Sequence, residues 1–275
     1  MPEAERRYAK RSRLQFLKLG GSLITDKNCP HTPRLEVLNR LAWEIRQARQ
    51  LDPQLKLVLG HGSGSFGHTP AHRYGTRQGV RSAAGWQGFV EVWRAAAALN
   101  HLVMEALSQA EVPAIAFPPS ALVSARAGEV ESWDLDPLQA ALQAGLLPVV
   151  YGDVVFDCQV GGTILSTEDL FAYLAGKLRP DRMLLATVEP GVWADYPACT
   201  RLVEEITPAN LPEIEAVLSE SSATDVTGGM ASKVRQMLRL VEGRPGMDIL
   251  IFSGLEPGQL LRLLQGEVAG TRLHA

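Results

Sequence analysis

Cysteine is scarce in this chain of 275 residues: Cys29, Cys158 and Cys199 stand far apart, and no C-x-x-C brings two together. That usage argues against a disulfide framework and a cysteine-built zinc site, and it points to a reducing compartment, the cytoplasm. Charge of one sign is lacking too. With 27 basic against 30 acidic residues the net charge is -3, so no global cationic field serves nonspecific nucleic-acid binding. No apolar run approaches the roughly 20 residues of a membrane-spanning helix. Residues 1–13 are charged and lack the apolar core of a signal peptide, so they read as a flexible basic leader, and neither a nucleic-acid nor a membrane partner is expected. There is no G-x-x-x-x-G-K-[ST], and no G-x-G-x-x-G opens a helix behind the first strand, which argues against P-loop and dinucleotide-binding folds. Nor do His, Cys, Asp and Glu cluster at metal-ligand spacing, so no protein-held metal is expected.

What the chain has instead is two glycine-rich turns, each behind an apolar run and each armed with a cation. The first is Lys18-Leu-Gly-Gly-Ser22, with Lys27 five residues on; the second is Gly60-His-Gly-Ser-Gly-Ser-Phe-Gly-His68. Glycine lets backbone N–H groups come close to phosphate oxygens, and a helix starting just beyond adds positive dipole to the same spot. Short apolar runs at 14–19, 55–59, 112–117, 147–151, 183–187 and 249–252 read as strands buried in a parallel sheet. Helical patterns at 33–49 (capped by Thr32), 85–110, 137–144 (capped by Asp136), 168–177 (capped by Thr167), from about Thr227, and at 257–264 lie between them. The alternation predicts an α/β sheet covered on both faces, with ligands at the carboxyl ends of the strands. Segments 127–131 and 153–163 read as a hairpin or short antiparallel insert, and a boundary between two lobes, 14–179 and 180–275, is placed near Arg179-Pro180.

Lys18 at the end of a buried strand either snorkels to the sheet edge or meets an anion, and the glycines behind it favour the anion. Lys27 alone reads as a solvated loop charge. His68 ends the second turn, after Gly62, Gly64 and Gly67; His61 serves equally well as a structural residue, and His31, His72, His101 and His274 have no supporting context. Gly152-Asp153 puts a carboxylate at a strand end, where a turn-forming aspartate is the ordinary reading. In Thr224-Asp-Val-Thr-Gly-Gly-Met-Ala-Ser-Lys233 a glycine pair opens a helix and a lysine follows one turn later, so N–H groups and an ammonium can meet one anion. After His68 come Tyr74, Trp86, Phe89, Val90 and Trp93, the last four spaced for one helical face that is either core or the wall of an apolar slot.

Together these motifs resemble the amino acid kinase superfamily, and within it the isopentenyl phosphate kinase family, from about Leu14 to Thr271. The residues that carry the likeness are K-L-G-G-S with D-K-N downstream, the H-G-x-G-x-F-G-H turn, G-D-V at 152–154, D-V-T-G-G-M-x-x-K, and G-E-V-A-G-T at 266–271. The resemblance implies an open αβα sandwich with a mainly parallel central sheet, dimeric, its first lobe for the acceptor and its second for ATP. It casts Lys18, Gly20, Gly21, Ser22, Gly64, Gly229 and Lys233 as ATP-site residues and Lys27 and Lys233 as stabilisers of the transferred group. Ser63, Gly64, Gly67, His68, Gly152 and Thr167 would hold the acceptor, and Asp153 would orient Lys18 and Lys233. The implied reaction is ATP-dependent phosphorylation of isopentenyl phosphate with Mg²⁺, with dimethylallyl phosphate as a second acceptor and Tyr74, Trp86, Phe89, Val90 and Trp93 around its tail. A fosfomycin-type kinase and a non-catalytic nucleotide or prenyl-phosphate sensor are the alternatives.

The chain departs from that pattern at Thr187-Val-Glu-Pro-Gly-Val192, where relatives usually read T-D-x-D-G-V. Val188 and Pro190 stand at two acidic positions, and altered nucleotide preference is expected. Thr167 and Ser63 each replace a glycine.

Overall fold

A computed structural model describes residues 14–215, 229–244 and 246–275. The expected leader at 1–13, the start of a helix near Thr227 and the Thr224–Gly228 part of the last glycine motif lie outside the described residues. The strands are β1 (Leu14–Leu19), β2 (Lys56–His61), β3 (Ala114–Ala116), β4 (Val123–Arg126), β5 (Glu129–Trp133), β6 (Leu147–Tyr151), β7 (Asp153–Asp157), β8 (Gly161–Leu165), β9 (Arg182–Thr187), β10 (Val192–Trp193), β11 (Leu202–Val203), β12 (Glu205–Ile206), β13 (Asp248–Ser253) and β14 (Thr271–Leu273). The longer helices are α1 (Leu35–Leu51), α2 (Gly64–Tyr74), α3 (Ala83–Gln109), α4 (Asp136–Gln143), α5 (Thr167–Leu178), α6 (Gly229–Glu242) and α7 (Gln259–Leu264), and single turns form at Gly21–Ile24 and Pro119–Leu122.

The main sheet runs β12-β14-β13-β9-β1-β2-β6-β3. From β13 to β3 every neighbouring pair is parallel. The period of two along each strand decides which layer a residue joins. Phe16, Val58, Val150, Met183 and Ile249 face a core shared with α4, α5 and α6, while Leu17, Leu19, Leu59, Val149, Leu184 and Phe252 face one shared with α1, α3 and α7. This is the expected αβα sandwich. Because the central strands are parallel, the residues after β1, β2, β6, β9 and β13 all emerge at one edge. The pairing of β1 with β9 carries the sheet without a break across the 179/180 position.

Several boundaries differ from expectation for local reasons. The run at 112–117 is strand only at Ala114–Ala116, with prolines at 113 and 118 that offer no N–H to a ladder. Helix α3 starts at Ala83 rather than 85, because the Ser82 side chain accepts from the Gly85 N–H. Helix α5 is capped by Ser166, not Thr167: Ser166 and Asp169 form a reciprocal capping box, and this moves Thr167 and Glu168 inside the first turn. Helix α1 begins after Arg34 rather than Thr32, and α4 after Leu135 rather than Asp136. The expected insert is a four-stranded sheet, β5-β4-β7-β8, in which β4 pairs in parallel with β7.

Helix α7 has only six residues and is held at both ends by buried side chains from other elements. At its start the Glu44 carboxylate of α1 accepts from the N–H groups of Gly258 (3.0 Å) and Leu261 (3.1 Å) and from Arg40 (2.6 Å). At its end Gln15 donates to Leu264 O (3.1 Å) and Arg182 to Leu263 O (3.0 Å). Glu44→Ala strands two N–H groups and leaves the Arg40 guanidinium only its carbonyl partners at Gly254 and Glu256, and is expected to cost about 3 kcal/mol in urea unfolding. A loss under about 1 kcal/mol would mean that α7 is held by packing alone.

Asp153 opens β7 fully buried, its carboxylate accepting from its own neighbour Val154 N–H (2.8 Å) and from Ser120 N–H (3.4 Å). Burial raises its pKa from 3.8 to about 6, against the pull of those hydrogen bonds. Between these values the folded chain holds a proton that the unfolded chain has released, so stability falls as pH rises through the window and the penalty is complete above about 6. Asp153→Asn removes that slope: relative to wild type it should gain about 3 kcal/mol across the window, measured by unfolding at a series of pH values. Parallel pH profiles would reject the assignment.

Candidate active site

The first turn and the second are packed backbone against backbone. A Cβ at Gly21 would fall on the main chain of Gly64, and one at Gly62 would lie 3.0 Å from the N–H of Gly21. Thr25 locks the contact, its hydroxyl donating to Gly21 O (2.7 Å) and accepting from Ser65 N–H (3.0 Å). Gly64 sits at φ +49°, where any side chain would strike Thr25 as well as strain the backbone. Gly20 is fixed to β9 by its N–H to Ala186 O (2.8 Å), and Gly62 to β1 by its N–H to Leu19 O (3.1 Å). Gly20, Gly21 and Ser22 are half-buried, so this floor of amides remains open from one side.

Beside it Lys18 makes a nearly buried ion pair with Glu168, whose side chains are 12% and 9% exposed. Burial pushes the Glu168 carboxyl up, but Lys18 and Lys233 outweigh it and hold Glu168 below the usual carboxylate range. Burial likewise draws Lys18 down, against the attraction of Glu168 and with the help of the second ammonium, Lys233. Lys233 is exposed on α6, yet its charge acts on both partners. The structure thus brings Lys18, Lys233 and Glu168 to one place. Helix α6 is tied to α5 there by Gln236 Nε2, which donates to Asp169 (2.9 Å).

Glu168 was not among the residues expected in the site. The sequence places it at a helix start, where an acid usually serves the dipole; only the capping box at Ser166 reveals that its side chain turns inward. Asp153, expected to orient the lysines, instead spends its carboxylate on Ser120 and Val154. Thr167 is also buried, donating to His61 O (2.6 Å), and Gly152 N–H goes to the same carbonyl (3.1 Å). His61 is structural in its surroundings: it stacks on Tyr151 at 5.2 Å, meets Asn100 Oδ1 at 3.2 Å, and is drawn down in pKa by burial.

His68 lies within α2 rather than at the end of a turn, exposed one helical turn beyond Gly64. Ser63 caps that helix by its carbonyl, which accepts from Phe66 N–H (3.1 Å) and Gly67 N–H (3.3 Å), and a side chain at Gly67 would collide with it. Lys27 is exposed on a loop closed by Asp26 N–H to Thr32 O (2.9 Å). The aromatic stripe divides. Phe89 is buried and Trp86 half-buried, and both pack with Phe156 of β7, at centroid distances of 5.3 and 6.0 Å. Val90 and Trp93, by contrast, are 50% and 44% exposed, so the four residues do not share one buried face. Tyr74 packs its ring against Gly88 and donates its hydroxyl to Glu91 (2.8 Å). Phe156, 58% exposed, was missed because it lies far along the chain, on the hairpin insert.

At the departure after β9, Glu189 accepts from the Trp193 indole N–H (2.9 Å), and its carbonyl accepts from the Thr187 hydroxyl (2.7 Å). Among the described residues no group of three or more His, Cys, Asp and Glu could hold a metal, and no helix is long and apolar enough to cross a membrane.

The sequence matches the amino acid kinase family over residues 13–253. It is 34% identical to an isopentenyl phosphate kinase of Methanocaldococcus jannaschii over 266 residues, covering 94% of this chain and 98% of that protein. It is 35% identical to an isopentenyl phosphate kinase of Methanothermobacter thermautotrophicus over 270 residues, with the same coverage of both. Its fold superposes on a crystal structure of an isopentenyl phosphate kinase with a TM-score of 0.79 at 31% identity, over 94% of this chain and 99% of that one. The chain therefore belongs to the amino acid kinase family of phosphotransferases.

Proposed function

We propose that this chain transfers the γ-phosphoryl group of ATP to the phosphate of isopentenyl phosphate, giving isopentenyl diphosphate, and that dimethylallyl phosphate is a second acceptor. The observation that carries the reading is the buried Lys18–Glu168 pair, with Lys233 beside it, at the mouth of two interlocked glycine turns. Similarity to isopentenyl phosphate kinases along nearly the whole chain supports the choice of acceptor.

Phosphoryl transfer asks for in-line placement and neutralised oxygen charge rather than a strong base, because a phosphate acceptor is already ionised near neutral pH. The N–H groups of Gly21 and Ser22 bind the ATP phosphates together with Gly229, Gly20 lets the chain pass close beneath them while its own N–H holds β9, and the turn from Ser63 through Gly67, with His68 donating, orients the acceptor phosphate. Lys18, Lys233 and Lys27 meet the charge that develops on the transferred group. Glu168, rather than Asp153, positions Lys18, while Thr167, Gly152 and Asp153 shape the floor from behind. Magnesium would be carried on the ATP phosphates, where it screens their charge. Trp86, Phe89 and Tyr74, with Phe156 added, wall the acceptor's tail; Val90 and Trp93 do not. That apolar wall favours a prenyl acceptor over fosfomycin, and the retained lysine–carboxylate pair favours turnover over sensing. With Val188 and Pro190 in place of acids and Glu189 engaged by Trp193, nucleotide recognition after β9 falls to the main chain. We place the reaction in the cytoplasm, in a homodimer.

A coupled ADP-release assay with Mg-ATP tests the reaction: release is expected with isopentenyl phosphate and dimethylallyl phosphate and not with fosfomycin or without acceptor, and silence with all four from protein that binds ATP would overturn it. Glu168→Gln should lower kcat about 100-fold while ATP affinity changes little, as for loss of one preorganised charge. If kcat held and only thermal stability fell, Glu168 would be a structural residue.

A further inference from the structure

On the outer side of α2, away from the glycine turns, a groove of about 440 Å³ runs between α2 and α3. That size lies within the roughly 300–1,000 Å³ of small-molecule sites. Its floor is hollow because α3 presents Ala95 and Ala98 opposite Pro70 of α2, and small side chains leave the space between the helices unfilled. Its rim carries Arg73, Arg94 and His31. The one carboxylate there, Glu91, accepts the Tyr74 hydroxyl. Arg73 lies over the Tyr74 ring at 5.2 Å, and neither Arg73 nor Arg94 makes a salt bridge among the described residues. Two guanidiniums and an imidazole against the single Glu91 carboxylate leave the rim net basic over an apolar floor.

We propose that this groove binds a small organic diphosphate, its hydrocarbon body on Pro70, Ala95 and Ala98 and its phosphates on Arg94, Arg73 and His31. Guanidinium forks match phosphate oxygens, and the apolar floor selects against a bare inorganic anion. The site is distinct from the place given to His68, which at 100° per residue points about 200° around α2 from Pro70.

Occupancy reaches the reaction through His31. That residue packs edge-on against Phe66 of α2 at 5.1 Å and belongs to the same closed loop as Lys27, whose ends are joined by the Thr25–Pro33 bridge and the Asp26–Thr32 hydrogen bond. A diphosphate that ties His31 to α3 restrains the loop that carries Lys27. The effect on turnover rests on the role proposed above for Lys27; the binding does not.

Calorimetry on the full chain tests it with isopentenyl diphosphate and inorganic pyrophosphate as probes. Wild type should show two classes of isopentenyl diphosphate site per chain, and Arg94→Glu only one, with ATP binding unchanged as the control for folding. Arg94→Ala should weaken the second class about tenfold or more, the size expected for one charge-assisted contact. Pyrophosphate should bind that class more weakly than isopentenyl diphosphate. A single class in wild type that Arg94→Glu leaves unaltered, two unaltered classes in Arg94→Glu, or equal affinity for the bare anion would overturn the proposal. So would a change of oligomeric state in Arg94→Glu by sedimentation, which would make the groove an interface between copies. Loss of kinase activity in the wild-type assay with two binding classes intact would reject the proposed reaction and leave this site standing.

Discussion

The main chain of Gly21 lies against that of Gly64, and the rest of the site is arranged around that contact. It joins the turn after β1 to the turn after β2 with no side chain between them. Thr25 fixes the distance by bonding once to each turn, and β9 fixes the height by accepting from Gly20. A Cβ at either glycine would force the turns apart, and a displacement of about an ångström is enough to spoil in-line transfer. The parallel sheet sets the directions of the strands; the glycine contact sets the spacing of what they carry.

Electrostatics complete the arrangement. Lys18 sits deep enough that burial works against its charge, and Lys233 adds repulsion. One buried carboxylate, Glu168, faces two ammonium groups, and Asp169 adds a weaker attraction on Lys18. A phosphate chain arriving over the glycine amides supplies a further anion. The buried pair is held taut by its supports rather than by its own strength, since buried ion pairs gain little net stability: the Ser166–Asp169 box fixes the first turn of α5, and Gln236 links it to α6.

Much of this was legible in the sequence because it follows from local rules. The runs at 14–19 and 147–151 coincide with β1 and β6, and the glycine turns fall at strand ends as the alternation of elements requires. What was illegible depends on direction. Glu168 and Thr167 read as a helix start, and nothing in their spacing says that Ser166 takes the cap and turns Glu168 toward Lys18. Asp153 reads as a turn-forming aspartate at a strand end, and the resemblance casts it as a partner for the lysines, yet a backbone N–H from the turn at 119–122 claims it. Trp86, Phe89, Val90 and Trp93 fit one helical face on paper, but α3 is covered along the line of Phe89, Val92 and Ala96, which leaves Val90 and Trp93 outside. Phe156 belongs with Trp86 only after the hairpin folds over α3.

The hairpin insert and α3 therefore act as one wall. Residues 161 and 162 must be glycine for the two to close: a Cβ at Gly162 would enter the Phe89 ring, and Gly161, at φ +83°, comes up against Val80. At the same end of the β7–β8 hairpin Asp157, paired across from Gly161, accepts from four backbone N–H groups, those of Ala127, Gly128, Gln159 and Val160, and so fixes the β4–β5 turn and the β7–β8 turn at once. The insert that carries Phe156 to α3 is thus held by side-chain to main-chain bonding. Beyond β9 the segment is shaped by one bond to the main chain, from the Thr187 hydroxyl to Glu189 O, and one between side chains, from the Trp193 indole to the Glu189 carboxylate.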